Sequence, residues 1–277
     1  LPYPLDDADS VSKITILAAG TSFYSGLTAR YWLESIGGVA CEVDLASEFR
    51  DRKAVLPKGG VVIAVSQSGE SLDTLMALRA LGEAARDRSP AIRIAVTGSV
   101  GKTSVKEALA AVLREAGPAH WSVKSYNNHW GVPLTLARMP AETGRAVFEL
   151  GMNHAGEIRD LASLVRPHIA LITRIAPAHL EHLGTIEAIA DAKGEIYEGL
   201  EPDGVAIYPA DDPLAERLAG HAKRSSAAFM LDFGHSARAA IRMESFETGL
   251  GGSDGVVNVM GVRVPFHLAA TGEHWAW

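Results

Sequence analysis

Cysteine is almost absent from the sequence, and long hydrophobic runs are absent altogether. The 277 residues include one cysteine, Cys41. A single thiol excludes an internal disulfide framework and a cysteine-rich zinc site, which is typical of a reducing cytoplasm, and we interpret Cys41 as a small buried residue. The apolar stretches, such as residues 61–65, are too short to cross a bilayer, and residues 1–9 lack the basic start of a signal peptide. These absences predict a soluble, cytoplasmic protein.

Basic residues are in the minority. Lysine and arginine together number 26 against 33 acidic residues, and the formal net charge is -7. This balance argues against a broad positive surface for nucleic acid, and we expect neither a nucleic-acid nor a membrane partner. An anionic ligand must therefore be held by a local pocket. The length and the 47% hydrophobic content allow two compact domains or one large one.

Short apolar runs alternate with longer amphipathic stretches, a pattern typical of βαβ units. The pattern predicts strands at residues 14–19, 39–45, 61–65, 92–96, 146–150, 170–173 and 205–208. It predicts helices at residues 23–36, 72–86, 103–115, 157–164 and 186–198. We expect an α/β fold, a three-layer sandwich with a mainly parallel sheet covered on both faces. After residue 232, short alternating segments with a flexible break at residues 249–255 predict a small β meander.

A glycine loop joins the predicted strand at residues 92–96 to the next helix. It reads Thr97-Gly98-Ser99-Val100-Gly101-Lys102-Thr103. Such a loop turns tightly and directs backbone N–H groups at a phosphate, while the lysine supplies a positive charge and the threonine offers a hydroxyl to magnesium. Val96 stands where the usual G-x-x-x-x-G-K-[ST] pattern has its first glycine, so a purely structural turn stays open as the alternative.

Five segments follow one another in an order that resembles the Mur ligases, the amide ligases of peptidoglycan synthesis. They are TGSVGKT, YNNHWGVPLTLARM, FELGMNHAGEI, APAHLEHLG and DAKGEIYEGL, within roughly residues 73–277. The resemblance implies a P-loop-type central domain at residues 76–277 that uses ATP and Mg²⁺. In that family ATP phosphorylates a substrate carboxylate, and an amine then attacks the acyl phosphate. The motifs are most similar to those of members whose substrates are a UDP-muramoyl peptide and D-alanyl-D-alanine.

The resemblance also implies roles for single residues. Lys102 would neutralise the β and γ phosphates, and Thr103 would help to hold the first magnesium ion. Glu149 ends a predicted strand, where α/β proteins present their ligands, and its carboxylate suits magnesium. His179 matches the histidine near the second metal, and Lys193 matches a lysine whose carbamylated form supplies metal-binding oxygens. From the residues alone, each of these has a plain surface role as its alternative.

Four more polar residues lie within the same motifs. Asn127 and Asn128 resemble the asparagine pair beside the nucleotide and the metals, and turn formation is the alternative. Asn153 and His154 follow Glu149 closely, and we expect them to line the same cleft.

The first part of the chain resembles a different family, the sugar isomerase (SIS) domain. The segments are ITILAAGTS, FYSGLTARYWLESI, CEVDLASEF and AVSQSGE. The resemblance implies a partial, flavodoxin-like βαβ unit at residues 1–75, whose loops hold a hexose phosphate by hydroxyls and backbone N–H groups. The matching positions are Thr21, Ser22, Ser66, Gln67, Ser68 and Ser71. Ala19 replaces a cysteine usual in that family, and Ser71 replaces a threonine.

This second resemblance stops near residue 73, before the acid–base residues of the family, so we do not expect isomerisation. The C-terminal domain of the ligase family has no counterpart in the sequence either. We therefore expect a chimera, a partial SIS unit joined to a ligase core. Three functions stay open: an ATP-dependent amide ligase core, a non-catalytic module that binds nucleotide or sugar phosphate, and a recombined or engineered scaffold. The sequence does not determine the oligomeric state.

Overall fold

The computed structural model describes residues 10–52, 54–178 and 180–272. The chain divides into two compact units between Ala84 and Ala85. Each unit has its own sheet, so the strands of the first unit do not join the sheet of the second. Among the described residues, no helix has the length and apolar composition needed to span a bilayer.

The first unit is a parallel sheet of order β2-β1-β3. Its strands are β1 (Lys13–Ala18), β2 (Cys41–Leu45) and β3 (Gly60–Val65). Its helices are α1 (Thr21–Ser35), α2 (Ala46–Asp51) and α3 (Leu72–Arg88), the last of which continues into the second unit. The loops that follow β1 and β3 therefore lie at the same, carboxyl edge of the sheet.

Two neighbouring side chains of β1 show that helices cover both faces of this sheet. Ile16 lies against Gly26 of α1, whereas Leu17 packs with Ala46 and Ala77 of α2 and α3. Successive side chains of a strand point to opposite faces, so the two contacts belong to different layers. Cys41 is buried at the start of β2, as expected from the sequence.

The second unit is built on a larger sheet, which contains nine strands among the described residues. They are β4 (Ile92–Thr97), β5 (Ala119–Trp121), β6 (Arg145–Glu149), β7 (Ile169–Ile172), β8 (Val205–Pro209), β9 (Phe229–Gly234), β10 (Ile241–Gly249), β11 (Gly252–Val259) and β12 (Val262–Leu268). The order is β12-β11-β10-β9-β8-β7-β4-β6-β5. Along this order, every neighbouring pair from β10 through β9, β8, β7, β4 and β6 to β5 is parallel. The pairs β10–β11 and β11–β12 are antiparallel. The predicted parallel sheet and the C-terminal meander are both confirmed.

Helices cover both faces of the parallel part, which confirms the three-layer α/β prediction. They are α4 (Lys102–Glu115), α5 (Gly131–Ala137), α6 (Glu157–Val165), α7 (Leu180–Leu183), α8 (Ile186–Gly194) and α9 (Ala215–Arg224). On one face, Val96 and Val147 pack beneath α4. On the other, Phe148 belongs to a much larger core that includes Ile158 of α6 and Ile189 of α8.

Two sequence predictions need correction in detail. The helix predicted at residues 186–198 ends at Gly194 and continues as the 3₁₀ helix Glu195–Gly199. At this change of helix type, the Glu195 carboxylate accepts hydrogen bonds from the backbone N–H groups of Gly156 and Arg159 at the start of α6. The predicted flexible break at residues 249–255 is instead the end of β10, a tight turn at residues 250 and 251, and the start of β11.

Candidate functional site

The loop between β4 and α4 has a backbone that only glycine allows. Gly98 has a φ of 150°, and a Cβ there would lie 1.9 Å from the Thr173 hydroxyl oxygen. Gly101 precedes α4 with a φ of 86°, in the left-handed region. Thr173 donates a hydrogen bond to the Val100 carbonyl at 2.6 Å and so closes the loop from outside. Both glycines of the predicted motif are therefore required by the geometry.

The loop contains a partly buried ammonium and a buried hydroxyl. The Lys102 ammonium donates to the backbone carbonyls of Gly98 at 2.7 Å and Ser99 at 3.4 Å. Burial lowers the pKa of Lys102, and the nearby Glu149 carboxylate opposes that shift. The Ser99 hydroxyl is buried and has no hydrogen-bond partner within the described part of the chain. A buried hydroxyl without a hydrogen-bond partner is costly unless a ligand or water satisfies it.

The Glu149 carboxylate, at the end of β6, is hydrogen-bonded to two other predicted site residues. Its side chain is only 1% exposed. One carboxylate oxygen accepts a hydrogen bond from the Thr103 hydroxyl at 2.9 Å, and the other accepts one from the Asn127 amide at 2.8 Å. Across residues 10–52, 54–178 and 180–272, no group of three or more His, Cys, Asp or Glu side chains forms a metal cluster. Mg²⁺ needs no such cluster, because it commonly takes one carboxylate together with phosphate oxygens and water.

Lys193 is buried near the same loop. Its residue is 1% exposed, and its ammonium has no hydrogen bond or ion pair with a described residue. Burial, and after it the positive charge of Lys102, lowers the pKa of Lys193 to about 7. A lysine in this state carries a large fraction of neutral, nucleophilic amine at neutral pH.

The remaining predicted residues of the ligase-like motifs have other contacts. The Asn128 side-chain oxygen accepts the backbone N–H groups of Trp130 at 3.1 Å and Gly131 at 2.9 Å, which satisfies the start of α5. Asn153, through its backbone N–H, and His154, through its ring, both contact the Glu157 carboxylate at the start of α6. Their contacts therefore serve helix ends. His179 lies outside the described residues.

Sequence reasoning missed Lys106, one turn after Lys102. Its side chain is fully buried, and its ammonium donates to the carbonyls of Ser122 at 2.9 Å and Lys124 at 2.6 Å. The Ser122 hydroxyl in turn accepts the backbone N–H of Glu149. Lys106 thus anchors the segment that leads to Asn127. The sequence feature that could have identified it is a lysine on the apolar face of the predicted helix, because such a lysine needs buried hydrogen-bond acceptors.

The first unit contains a second candidate site. A cavity of about 260 Å³ opens at the carboxyl edge of its sheet, where α1 and α3 begin. It is lined by Ala19, Gly20, Thr21, Ser22, Gln67, Ser68, Ser71, Leu72 and Asp73. Every residue of the predicted sugar-phosphate set except Ser66 lines it. Ser66 instead contacts the loop that lines the cavity. Its hydroxyl donates a hydrogen bond to the Ser71 hydroxyl at 3.1 Å and accepts one from the Gly69 N–H at 3.0 Å.

Two family models match the chain. The Mur ligase middle domain matches residues 96–277, which is more than half of the chain, and the SIS domain matches residues 9–132. The two matches overlap, and the SIS match extends well past residue 73, where the resemblance of the quoted segments stops.

Curated relatives of the chain include proteins named UDP-N-acetylmuramoyl-tripeptide--D-alanyl-D-alanine ligase. The protein of Escherichia coli (strain K12) is 47% identical over 140 residues, which is 50% of this chain and 31% of that protein. The protein of Rickettsia prowazekii (strain Madrid E) is 36% identical over 202 residues, which is 70% of this chain and 45% of that protein. The chain thus spans less than half the length of these relatives.

Solved structures resemble the chain over nearly its whole length. MurF from Acinetobacter baumannii superposes with a TM-score of 0.72 at 28% identity, over 98% of this chain and 56% of that one. The MurF ligase from Thermotoga maritima, solved in complex with ADP, superposes with a TM-score of 0.69 at 21% identity, over 96% of this chain and 57% of that one. At that identity the second match shows a shared fold.

Proposed function

The chain belongs to the Mur ligase family through its middle domain, and on this premise we propose that residues 76–277 bind ATP with Mg²⁺ as the core of an amide ligase. The proposed substrates are those that the names of the relatives state, a UDP-muramoyl tripeptide and D-alanyl-D-alanine. The observation that carries the proposal is the contact between the Thr103 hydroxyl and the Glu149 carboxylate at 2.9 Å, beside the glycine loop. This contact offers two hard oxygens where a phosphate-bound Mg²⁺ needs them.

Each residue of the site has a distinct task in this proposal. The loop N–H groups and the start of α4 would hold the phosphates, and the Lys102 ammonium would exchange the Gly98 and Ser99 carbonyls for phosphate oxygens. Thr103 and Glu149 would ligate Mg²⁺, and the Asn127 amide keeps the Glu149 carboxylate oriented. Bound ATP would supply the phosphoryl group that activates a carboxylate for attack by an amine.

We further propose that Lys193 reacts with carbon dioxide to form a carbamate, with release of one proton to solvent. Burial and a pKa of about 7 support this, because the neutral amine is the form that attacks carbon dioxide. The product carries negative oxygens in place of a cation that Lys102 repels. NMR in carbon-13 bicarbonate should detect a carbamate signal that is missing from Lys193→Met. The same spectrum in both proteins would refute this step.

Calorimetric titration of ATP with Mg²⁺ tests the nucleotide site. Wild-type protein should bind, Lys102→Ala should lose binding, and Glu149→Gln should lose the part of the affinity that depends on Mg²⁺. Lys223→Ala is the matched control, because Lys223 is an exposed lysine on α9. Absence of binding to the wild-type protein, or equal binding by Lys102→Ala, would overturn the proposal.

A turnover assay separates a ligase from a binding module. ADP release that requires both the UDP-muramoyl tripeptide and D-alanyl-D-alanine would support the ligase. Binding of ATP without release of ADP would favour the non-catalytic module.

The cavity of the first unit supports a second candidate function, the binding of a hexose phosphate. Hydroxyls from two loops and the starts of α1 and α3 converge on it, which suits a phosphate group. Titration with fructose 6-phosphate and with inorganic phosphate should give binding that Ser68→Ala weakens and Lys102→Ala leaves unchanged. Ser35→Ala, on the last turn of α1, is the matched control. Equal affinities of Ser68→Ala and Ser35→Ala would refute this assignment.

A further inference from the structure

Helix α8 carries Lys193. On the opposite face of α8, a separate group of side chains contacts helix α9. Asp191 lies on α8, and its carboxylate contacts two side chains of α9, Arg217 and His221. Arg217 donates to its two oxygens at 2.9 and 3.0 Å, and the His221 ring nitrogen Nε2 lies 3.0 Å from one of them. Three side chains thus join α8 to α9.

Gly194 is the fourth member of this contact. Its φ of -59° is ordinary helical backbone, so no conformational reason requires glycine there. The reason is space, because a Cβ at this position would lie 2.5 Å from the His221 ring carbon Cγ. The imidazole therefore packs directly on the helix backbone, one residue after Lys193.

The contact and Lys193 lie on different sides of α8. Residues two apart on an α-helix point about 200° away from each other, so Asp191 and Lys193 project in nearly opposite directions. No described side chain bonds the Lys193 ammonium. The position of that nitrogen consequently depends on where the backbone of α8 is held.

We propose that Asp191, His221 and Gly194 form a positioning clamp that determines the rotation and depth of α8, and with them the distance from the Lys193 nitrogen to the metal–phosphate group of a bound nucleotide. The inference rests on the proposed nucleotide site, and it holds whether or not Lys193 is carbamylated. Arg217 has a smaller part, because its side chain is 43% exposed and its ion pair with Asp191 is screened by solvent. The His221 side chain, at 15%, is the less exposed of the two partners of Asp191, whose own side chain is 45% exposed.

A paramagnetic distance measurement tests the clamp without an activity assay. The protein is labelled with carbon-13 at lysine Cε, the Lys193 resonance is assigned from Lys193→Met, and ATP is added with Mn²⁺ in place of Mg²⁺. Broadening of the Lys193 resonance then reports its distance from the metal. Lys223, on the C-terminal turn of α9, is the internal reference.

The variants separate positioning from a general loss of structure. Asp191→Ala and His221→Ala should reduce the Lys193 broadening at least about threefold, since paramagnetic broadening falls steeply with distance. Asp191→Asn keeps an oxygen that accepts the hydrogen bond from His221 and should retain the broadening, as should Arg217→Gln. If Asp191→Ala does not fold, the comparison of His221→Ala with Arg217→Gln decides.

The outcomes are distinguishable from those of the proposed function. If Mn²⁺-ATP causes no broadening in the wild-type protein, both the proposed nucleotide site and the clamp are refuted. Wild-type protein that binds, together with unchanged broadening in folded Asp191→Ala and His221→Ala, would overturn the clamp alone. Equal losses in Asp191→Asn and Asp191→Ala would also overturn it, because the charge and not the hydrogen-bonded geometry would then matter.

Discussion

At the scale of single residues, Gly98 combines a backbone requirement with a steric one. Its φ lies in the region that L-residues rarely adopt, and its missing Cβ leaves room for the Thr173 hydroxyl. We expect Gly98→Ala to lower the free energy of unfolding by about 1–3 kcal/mol from backbone strain alone and more from the collision. We also expect it to abolish ATP binding. Urea denaturation and calorimetry measure the two effects.

Gly117→Ala is the control for this substitution. Gly117 has a φ of 131°, and nothing lies within 4 Å of its missing Cβ, so this variant isolates the backbone strain. Equal loss of stability in the two variants, with ATP binding intact in Gly98→Ala, would contradict the steric argument.

Lys193 predicts a dependence of stability on pH. Its pKa is about 7 in the folded chain and near the ordinary 10.4 in the unfolded chain. Between these values the unfolded state binds more protons, so the free energy of unfolding rises as pH rises from about 7 to about 10. The gain from pH 7 upward is on the order of 4 kcal/mol and is complete above the unfolded pKa.

Denaturation of the wild-type protein and Lys193→Met in carbonate-free buffer measures this contribution. The variant should be the more stable protein near pH 7, and the difference should shrink as pH rises. A difference that stays constant from pH 7 to pH 10 would show that the Lys193 pKa is not lowered.

Residue types and spacing predicted part of the site. The pattern placed Lys102 and Thr103 in the loop after one predicted strand and Glu149 at the end of another, and in the structure Thr103 and Glu149 are hydrogen-bonded. It did not distinguish Asn127, whose amide holds Glu149, from Asn128, whose amide serves the start of α5. Adjacent residues of one type differ only in the direction of the side chain, and the local path of the backbone determines that direction.

At the scale of helices and strands, the apolar pattern predicted most of the parallel strands and missed several other elements. Strands β1, β2, β3, β4, β6, β7 and β8 and helices α1, α3, α4 and α6 lie where the apolar pattern predicts them. The pattern missed helices α2, α5, α7 and α9 and strands β5 and β9. Four of these, α2, α5, α7 and β5, have three to seven residues, and elements this short form chiefly through packing against the rest of the unit, so their local pattern is weak.

The contact between α8 and α9 predicts a double-mutant cycle. Gly194→Ala alone should destabilise the protein by about 1–3 kcal/mol, because the new Cβ collides with the His221 ring. In the His221→Ala background the same substitution should be neutral or stabilising by up to about 1 kcal/mol, since alanine favours a helix over glycine. Thermal unfolding of the four proteins measures the coupling. Additive effects would mean that the ring does not occupy this space.

At the scale of the whole molecule, the sequence predicted two different resemblances within one chain, and the family models match both. It did not predict that the first strands form a sheet of their own, because strand pairing depends on tertiary contacts. The two units differ in their cores. Among the described residues, one buried cluster of the first unit consists of Leu17, Ala46, Phe49 and Ala77, whereas the second unit has a far more extensive core.

This difference predicts that the chain does not unfold in a single step. With less buried apolar surface to stabilise it, the sheet of the first unit should open at a lower free energy than the sheet around β4. Hydrogen exchange should be faster at the amides of β1 than at those of β4 and β6, and unfolding followed by different probes should give transitions that do not coincide. Equal protection of the two sheets would contradict this prediction.

ATP with Mg²⁺ then identifies the unit that contains the nucleotide site. A ligand that binds only the folded second unit stabilises it by about 2.7 kcal/mol at a hundred times its dissociation constant. Protection of β4, β6 and β7 should rise accordingly, while β1 and β3 should keep their exchange rates, and Lys102→Ala should abolish the effect. A fructose 6-phosphate titration should give the opposite pattern, with protection gained at β1 and β3. If either ligand protected both sheets equally, the two sites would be coupled, and assigning one independent ligand to each unit would be wrong.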